Sequence, residues 1–301
     1  MDKIKVFIAC TEAEWLPARV LEFSTSETTA SPILFRTLYS FRREIPLPRD
    51  LENRPRTPFS FQRFLIPELC GYAGKAIYLD ADMQVFGDIR EVWDSDFVGS
   101  DLLTVEEGDS RRRPQFSVML LNCERLSWCI EDIVERLDLG ELNYAGLMYE
   151  MRVASAIGRV LPAAWNSLEQ FQPGSTRLLH YTDMNTQPWI SCANGNGILW
   201  VACLRRALDA GFVTLDELRR EVDAGHVRPS LVAQIEAGMD DPLTLPAAMR
   251  ALDRKFVAPF KSMNTGKAQP WTTPAASVRA LLARSYFRSP LVRWWRRRRS
   301  T

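Results

Sequence analysis

The chain opens on an apolar run, Ile4 to Cys10 (IKVFIAC), interrupted only by Lys5. A run this short and this continuous predicts a strand buried on both faces, as at the centre of an α/β sheet. Helical spacing follows from Trp15 to Phe23. Ser31 to Pro58 holds five prolines and many arginines, which predicts a long irregular connection with one short strand. Phe59 to Leu69 then has a helical pattern. Ala76 to Leu79 (AIYL) predicts a second buried strand running into Asp80-Ala81-Asp82, Ser117 to Leu121 (SVMLL) a third, and Arg177 to Tyr181 (RLLHY) a fourth. Strands alternating with helices predict an open, mostly parallel sheet, whose ligands gather at the carboxyl ends of the strands. Cys10, Asp80 and His180 stand at such ends.

Beyond Gly195 the pattern turns helical, with Thr214 and Glu217 spaced as a capping box. The expected organisation is a sheet-bearing domain over 1–200, a helical extension over 201–261, and a linker and tail over 262–301. In the tail, Val278, Leu281, Leu282 and Tyr286 share one helical face, and Ser289-Pro290 suits the start of a last turn. No internal repeat is visible.

Composition narrows the class. With 301 residues, 46% hydrophobic and 25% charged, disorder and collagen are excluded and a full core is available. No apolar run reaches about 18 residues, and the start lacks a signal-like region, so neither membrane spanning nor secretion by that route is expected. Six cysteines without a C-x-x-C pair fit reduced thiols in a cytoplasmic protein, and two histidines, His180 and His226, argue against a zinc site. The net charge of +1 conceals an asymmetry: from Arg254 to Thr301 there are 12 basic residues and no acidic one, leaving 26 basic against 37 acidic in the rest. Eight of those arginines interleave with Leu281, Leu282, Tyr286, Phe287, Leu291, Val292, Trp294 and Trp295. Aromatics and arginines in this arrangement point to an anionic membrane surface, and the Trp pair favours that partner over nucleic acid.

Two carboxylates at i and i+2 on a turn, as in Asp80 and Asp82, can reach one divalent cation that bridges to phosphate oxygens. A second such pair, Asp94 and Asp96, falls at a predicted helix end, where solvated or capping carboxylates are the expectation.

The stretch PFSFQRFLIPELCGYAGKAIYLDADMQVFGDIREVWD resembles the central signature of glycosyltransferase family 8, the retaining, metal-dependent enzymes of GT-A fold. That resemblance implies a Rossmann-like, mostly parallel open sheet flanked by helices, with a helical C-terminal extension. It makes Arg63 the arginine that contacts donor phosphate or sugar, and Asp80 and Ala81 part of the donor site; for Asp88 a helix N-cap is expected instead of a catalytic role. FIACTEAEW is similar to the family's nucleotide-binding turn, which implies uridine contacts from Ala9, Cys10 and Thr11, with Trp15 in place of a stacking tyrosine. HYTDMNTQPW resembles the late histidine motif, which implies that His180 joins Asp80 and Asp82 as a ligand of manganese or magnesium.

Over residues 4 to 200 the resemblance also has departures. Gln187 stands where the family's phosphate-binding lysine is expected, Gln115-Phe116-Ser117 replaces an Asn-x-Gly strand start, and the family's Asp-Gln pair near the reacting carbon is absent. Glu150, in LMYEMRV, is the nearest polar candidate for a catalytic role. The implied reaction is transfer of a hexose, glucose or galactose, from a uridine diphosphate sugar to a glycan or glycolipid with retention, at the cytoplasmic face of a membrane. Gln187 and the missing pair also leave open a relative that binds without turnover. A haloacid-dehalogenase-like phosphatase is the third reading; its D-x-D belongs on a first strand, whereas Asp80 follows the second, with Gln84 where threonine or valine is usual.

Overall fold

The computed structural model describes residues 3–57, 59–106 and 116–263. The chain divides into two compact units, Met1–Pro259 and Phe260–Thr301, and the basic tail expected to meet a membrane lies outside the described residues.

The first unit contains a six-stranded sheet. Its strands are β1 (Ile4–Ala9), β2 (Ile33–Thr37), β3 (Lys75–Asp80), β5 (Leu102–Val105), β6 (Val118–Asn122) and β7 (Ile157–Leu161), in the spatial order β2-β1-β3-β6-β5-β7. Three pairings are parallel (β1 with β2, β1 with β3, β5 with β7), and β6 runs antiparallel to both neighbours. The continuous apolar runs have a direct cause: alternate residues point to opposite faces, and both faces are covered. Phe7, Ala76, Tyr78, Met119 and Leu121 face a core containing Ile130, Ile133 and Leu137 of helix α4 (Ile130–Asp138). Val6, Ile8, Ile77, Leu79 and Leu120 face the opposite core with Ala18 and Leu21 of helix α1 (Trp15–Thr28). Truncating one of the leucines or isoleucines among them to alanine costs about 2–5 kcal/mol.

Helix α1 continues past Phe23 through a Ser/Thr-rich segment. The hydroxyls of Thr25, Ser26 and Thr28 donate to carbonyls four residues back, which accommodates residues that otherwise favour helix ends. Phe59 to Leu69 holds only a 3-10 turn, Gln62–Leu65, and a single α turn, α2 (Ile66–Leu69); the chain then leaves helical geometry at Gly71, with φ of +65°.

The fourth predicted strand forms, but in a separate sheet. Leu178–His180 (β9) pairs antiparallel with β4 (Met83–Val85) and parallel with β8 (Ser167–Leu168). Beyond it come α6 (Gly197–Asp209), α7 (Leu215–Asp223) and α8 (Ser230–Glu236). Thr214 and Glu217 form the capping box of α7, with Thr214 N–H donating to Glu217 Oε2 at 2.8 Å. Leu16 and Val20 of α1 share a third core with Leu179, Tyr181 and Trp189 and with Trp200, Val201 and Leu204 of α6. Among the described residues no helix is long and apolar enough to cross a membrane.

Candidate metal site

Strand pairing assembles the site from residues far apart in the sequence. Ala9 at the end of β1 lies in register with Asp80 at the end of β3, and Ala81 N–H donates to the Ala9 carbonyl at 3.1 Å. Met83 pairs with His180, and Tyr181 N–H donates to the Asp82 carbonyl at 2.8 Å. The small sheet therefore carries His180 to the Asp80-Ala81-Asp82 turn. One ligand atom from each of Asp80, Asp82 and His180 lies within 4.8 Å of the others.

The donor set fits a divalent cation. His180 Nδ1 lies 2.9 Å from Asn166 Oδ1, so with Nδ1–H donated there, Nε2 is left as a lone-pair nitrogen. That Nε2 is 3.0 Å from Asp82 Oδ1, a buried oxygen with no other partner among the described residues. A lone pair facing such a carboxylate oxygen calls for a proton or a cation between them. Burial pushes the His180 imidazole down, but the carboxylates of Asp82, Asp80 and Glu169 outweigh it and the net direction is up.

Each ligand is braced from behind. Tyr78, fully buried, donates its hydroxyl to Asp80 Oδ1, and burial with the nearby carboxylates holds its phenol well above the usual range against the pull of Arg63. Arg63 is buried; it reaches Asp80 Oδ1 at 3.5 Å, donates to the carbonyls of Ser60 and Phe116 at 3.1 and 3.0 Å, and lies over the Tyr78 ring at 4.6 Å. Phe116 takes a left-handed φ of +50°, unusual for a bulky side chain, while its carbonyl receives this bond. Gln187 donates from Nε2 to Asp82 Oδ2 at 3.1 Å and to the Tyr181 carbonyl at 3.0 Å.

The β1–α1 turn is tied down as firmly. The Gln62 amide pairs with both backbone groups of Cys10, accepting from its N–H at 3.3 Å and donating to its carbonyl at 3.1 Å. Thr11 N–H and hydroxyl both donate to Glu14 Oε2, at 2.8 and 3.1 Å. Ala9 and Cys10 are fully buried, and Trp15 packs half-buried against the third core at the start of α1. Burial pushes the Glu14 carboxyl up to about 8; the Thr11 N–H opposes this, and the charges of Asp82 and Asp80 add to it. Glu14 therefore sits in the field of both candidate ligands.

The structure thus brings Asp80, Asp82, His180 and Gln187 together, with Arg63 behind Asp80 and the Ala9–Thr11 turn beside it. It does not join Glu150 to this group: its exposed carboxylate pairs with Arg152 at 2.5 Å. Asp88 accepts from Arg90 N–H at 2.9 Å, but the N-cap of the short turn α3 (Arg90–Trp93) is Ile89, so Asp88 stands one residue before the expected capping position. Asp94 pairs with Arg90 and Asp96 accepts from Val98 N–H, as solvated carboxylates do. His226 is paired with Glu221 at 2.8 Å. Sequence reasoning missed Tyr78, Gln62, Glu14 and Asn166. Tyr78 carried a signal, since at two residues before Asp80 on a strand it must share that residue's face.

The profile of glycosyl transferase family 8 matches residues 25–127. No curated protein matches the chain significantly. Among solved structures, the WbbM bifunctional glycosyltransferase is similar with a TM-score of 0.51 at 11% identity, over 70% of this chain and 51% of that one, so the chain spans about half its length. The glycosyltransferase GlyE of Streptococcus pneumoniae TIGR4 has a TM-score of 0.49 at 16% identity, over 70% of this chain and 64% of its own. The galactosyltransferase LgtC, solved with donor and acceptor sugar analogues, has 0.45 at 13% identity, over 66% of this chain and 95% of its own. Residues 25–127, which match the profile of glycosyl transferase family 8, are set in an α/β fold of the GT-A type.

Proposed function

We propose that the protein is a metal-dependent retaining glycosyltransferase that moves a hexose, glucose or galactose, from a uridine diphosphate sugar to a glycan or glycolipid. The observation that carries this reading is the Asp80, Asp82 and His180 cluster, with an Asp82 oxygen that meets only His180 among the described residues and both aspartates inside the family 8 match. Two carboxylates and an imidazole suit manganese or magnesium. Such an ion, when bound, neutralises charge developing on a departing diphosphate.

The remaining roles belong to the chain itself. Asn166 holds the tautomer that leaves His180 Nε2 free, Tyr78 and Arg63 orient Asp80, and Gln187 orients Asp82. Ala9, Cys10, Thr11 and Trp15 flank the space for the uridine, and Ala81 and Arg63 border the donor. The arginine- and tryptophan-bearing tail docks the enzyme on an anionic, cytoplasmic membrane face. Flotation with anionic liposomes is expected for the full chain; equal flotation after truncation at Pro274 would overturn that docking.

One observation favours a second reading. Gln187 stands where a free phosphate-binding cation is expected, yet its amide is already committed to Asp82 and Tyr181, which suits a relative that binds a nucleotide without turnover. Incubation with a panel of uridine diphosphate sugars and manganese separates the two. Sugar release that disappears in Asp80→Ala and Asp82→Ala supports transfer, and binding with no release supports the second reading.

A further inference from the structure

The third core places the helices after Gly195 against the site, and one buried cation in them has no role in the site described so far. Arg228 is fully buried between Trp189 and α8. Its Nε donates to the Pro188 carbonyl at 2.9 Å, and its backbone N–H donates to the Trp189 carbonyl at 2.8 Å. These are the two carbonyls that immediately follow Gln187. Its remaining donors go to Ser230 Oγ and Gln234 Oε1 of α8, both at 2.5 Å. Ser230 in turn donates its hydroxyl to Asp253 Oδ2 at 2.6 Å and its N–H to Asp253 Oδ1 at 2.8 Å. Among the described residues the guanidinium meets neutral acceptors, and the Asp253 carboxylate sits one hydrogen bond further away. A fully buried cation without a directly bonded carboxylate is costly, and the return visible here is a fixed loop.

We infer that Arg228 is a positioning residue of the metal site, holding Pro188 and Trp189 so that Gln187 can hold Asp82. The path is continuous: Asp253 through Ser230 to Arg228, across to the Pro188 carbonyl, and from the neighbouring Gln187 Nε2 to Asp82 Oδ2. The loop is also held where Asp183 N–H donates to Glu169 and where the buried Trp189 packs against Tyr181 and Trp200, and Arg228 adds the bonds to the two carbonyls next to Gln187. Residues 184–190 make two successive turns that meet at Gln187, whose N–H donates to the Asp183 carbonyl and whose carbonyl accepts from Ile190 and Ser191. Among the described residues Asp82 Oδ2 receives a hydrogen bond from Gln187 alone, while Oδ1 faces His180 Nε2. Rotating Gln187 away therefore frees the Asp82 carboxylate to turn from the imidazole. The helices beyond 200 then contribute to the site without touching a ligand.

This inference rests on the metal reading above, and its test separates the two. Manganese binding is measured by calorimetry on the full chain for the wild type, Gln187→Ala, Arg228→Leu and the double variant. Removal of a group that orients a ligand weakens metal binding about 10–100-fold, and that loss is expected for each single variant. Because Arg228 acts through Gln187, the double variant is expected to bind no more weakly than Gln187→Ala alone. Should Arg228→Leu fail to fold, Ser230→Ala removes one acceptor and the link to Asp253, and a smaller loss, absent in the Gln187→Ala background, is expected. Unchanged affinity in a folded Arg228 or Ser230 variant, or losses that multiply in the double variant, would overturn the brace and leave the metal site standing. A wild type that does not bind manganese overturns the metal reading itself.

Discussion

At the scale of single residues, the site is a set of charges whose protonation a bound cation would reverse. Glu14 stays protonated up to about 8 because it is buried in the field of Asp82 and Asp80. Its folded-state value lies above the ordinary 4.5, so between these values the folded chain holds a proton that the unfolded chain has lost. Stability of the metal-free protein is therefore expected to fall as pH rises from about 4.5 to about 8. His180, also raised, adds to the same trend above its ordinary 6.5. Thermal melts across this range check the sign, and Glu14→Gln is expected to flatten the slope while raising the melting temperature near pH 8 by a few degrees. A wild-type stability that climbs over the same range would contradict the placement of Glu14. Asn166→Ala, which frees the His180 ring and its tautomer, is expected to lower manganese affinity about 10–100-fold with little change in melting temperature.

At the scale of elements, the site exists because strand ends are held together by side chains from irregular segments. Gln62 and Arg63 are neighbours on one 3-10 turn; the first clamps the end of β1 and the second braces the end of β3. Gln62→Ala leaves the buried N–H and carbonyl of Cys10 unpartnered, and a loss of about 1–3 kcal/mol in chemical denaturation is expected. Such pairings are the part of the fold that a sequence shows least. β1, β3 and β6 were legible because both their faces are buried and their runs are continuous. β5 was missed as a four-residue run, and β7 because IGRVL reads as broken: Gly158 is required where a Cβ would come within 2.5 Å of Leu103, and Arg159 and Val160 face outward at the sheet edge. His180 was legible as a strand-end ligand, but its strand belongs to a different sheet from the one expected, since three residues that pair only with β4 and β8 carry no pattern of their own.

At the scale of the whole molecule, the sheet presents two carboxylates at one strand end, a second small sheet adds the imidazole, and the later helices pack behind through Trp189, Trp200 and Leu204. The candidate ligands could be named from sequence because their chemistry is local to two short motifs. Their supports could not, because Tyr78, Asn166, Gln62 and Arg228 acquire meaning only through contacts between distant segments. The acidic excess outside the tail is compatible with a diphosphate partner only if a cation reverses the local field at Asp80 and Asp82. The most direct measurement is the thermal stability of the protein with uridine diphosphate alone, with manganese alone and with both. A stabilisation by the pair that exceeds the sum of the two, and that is lost in Asp82→Ala, is the expected result; stabilisation by the nucleotide that is indifferent to metal would contradict the account.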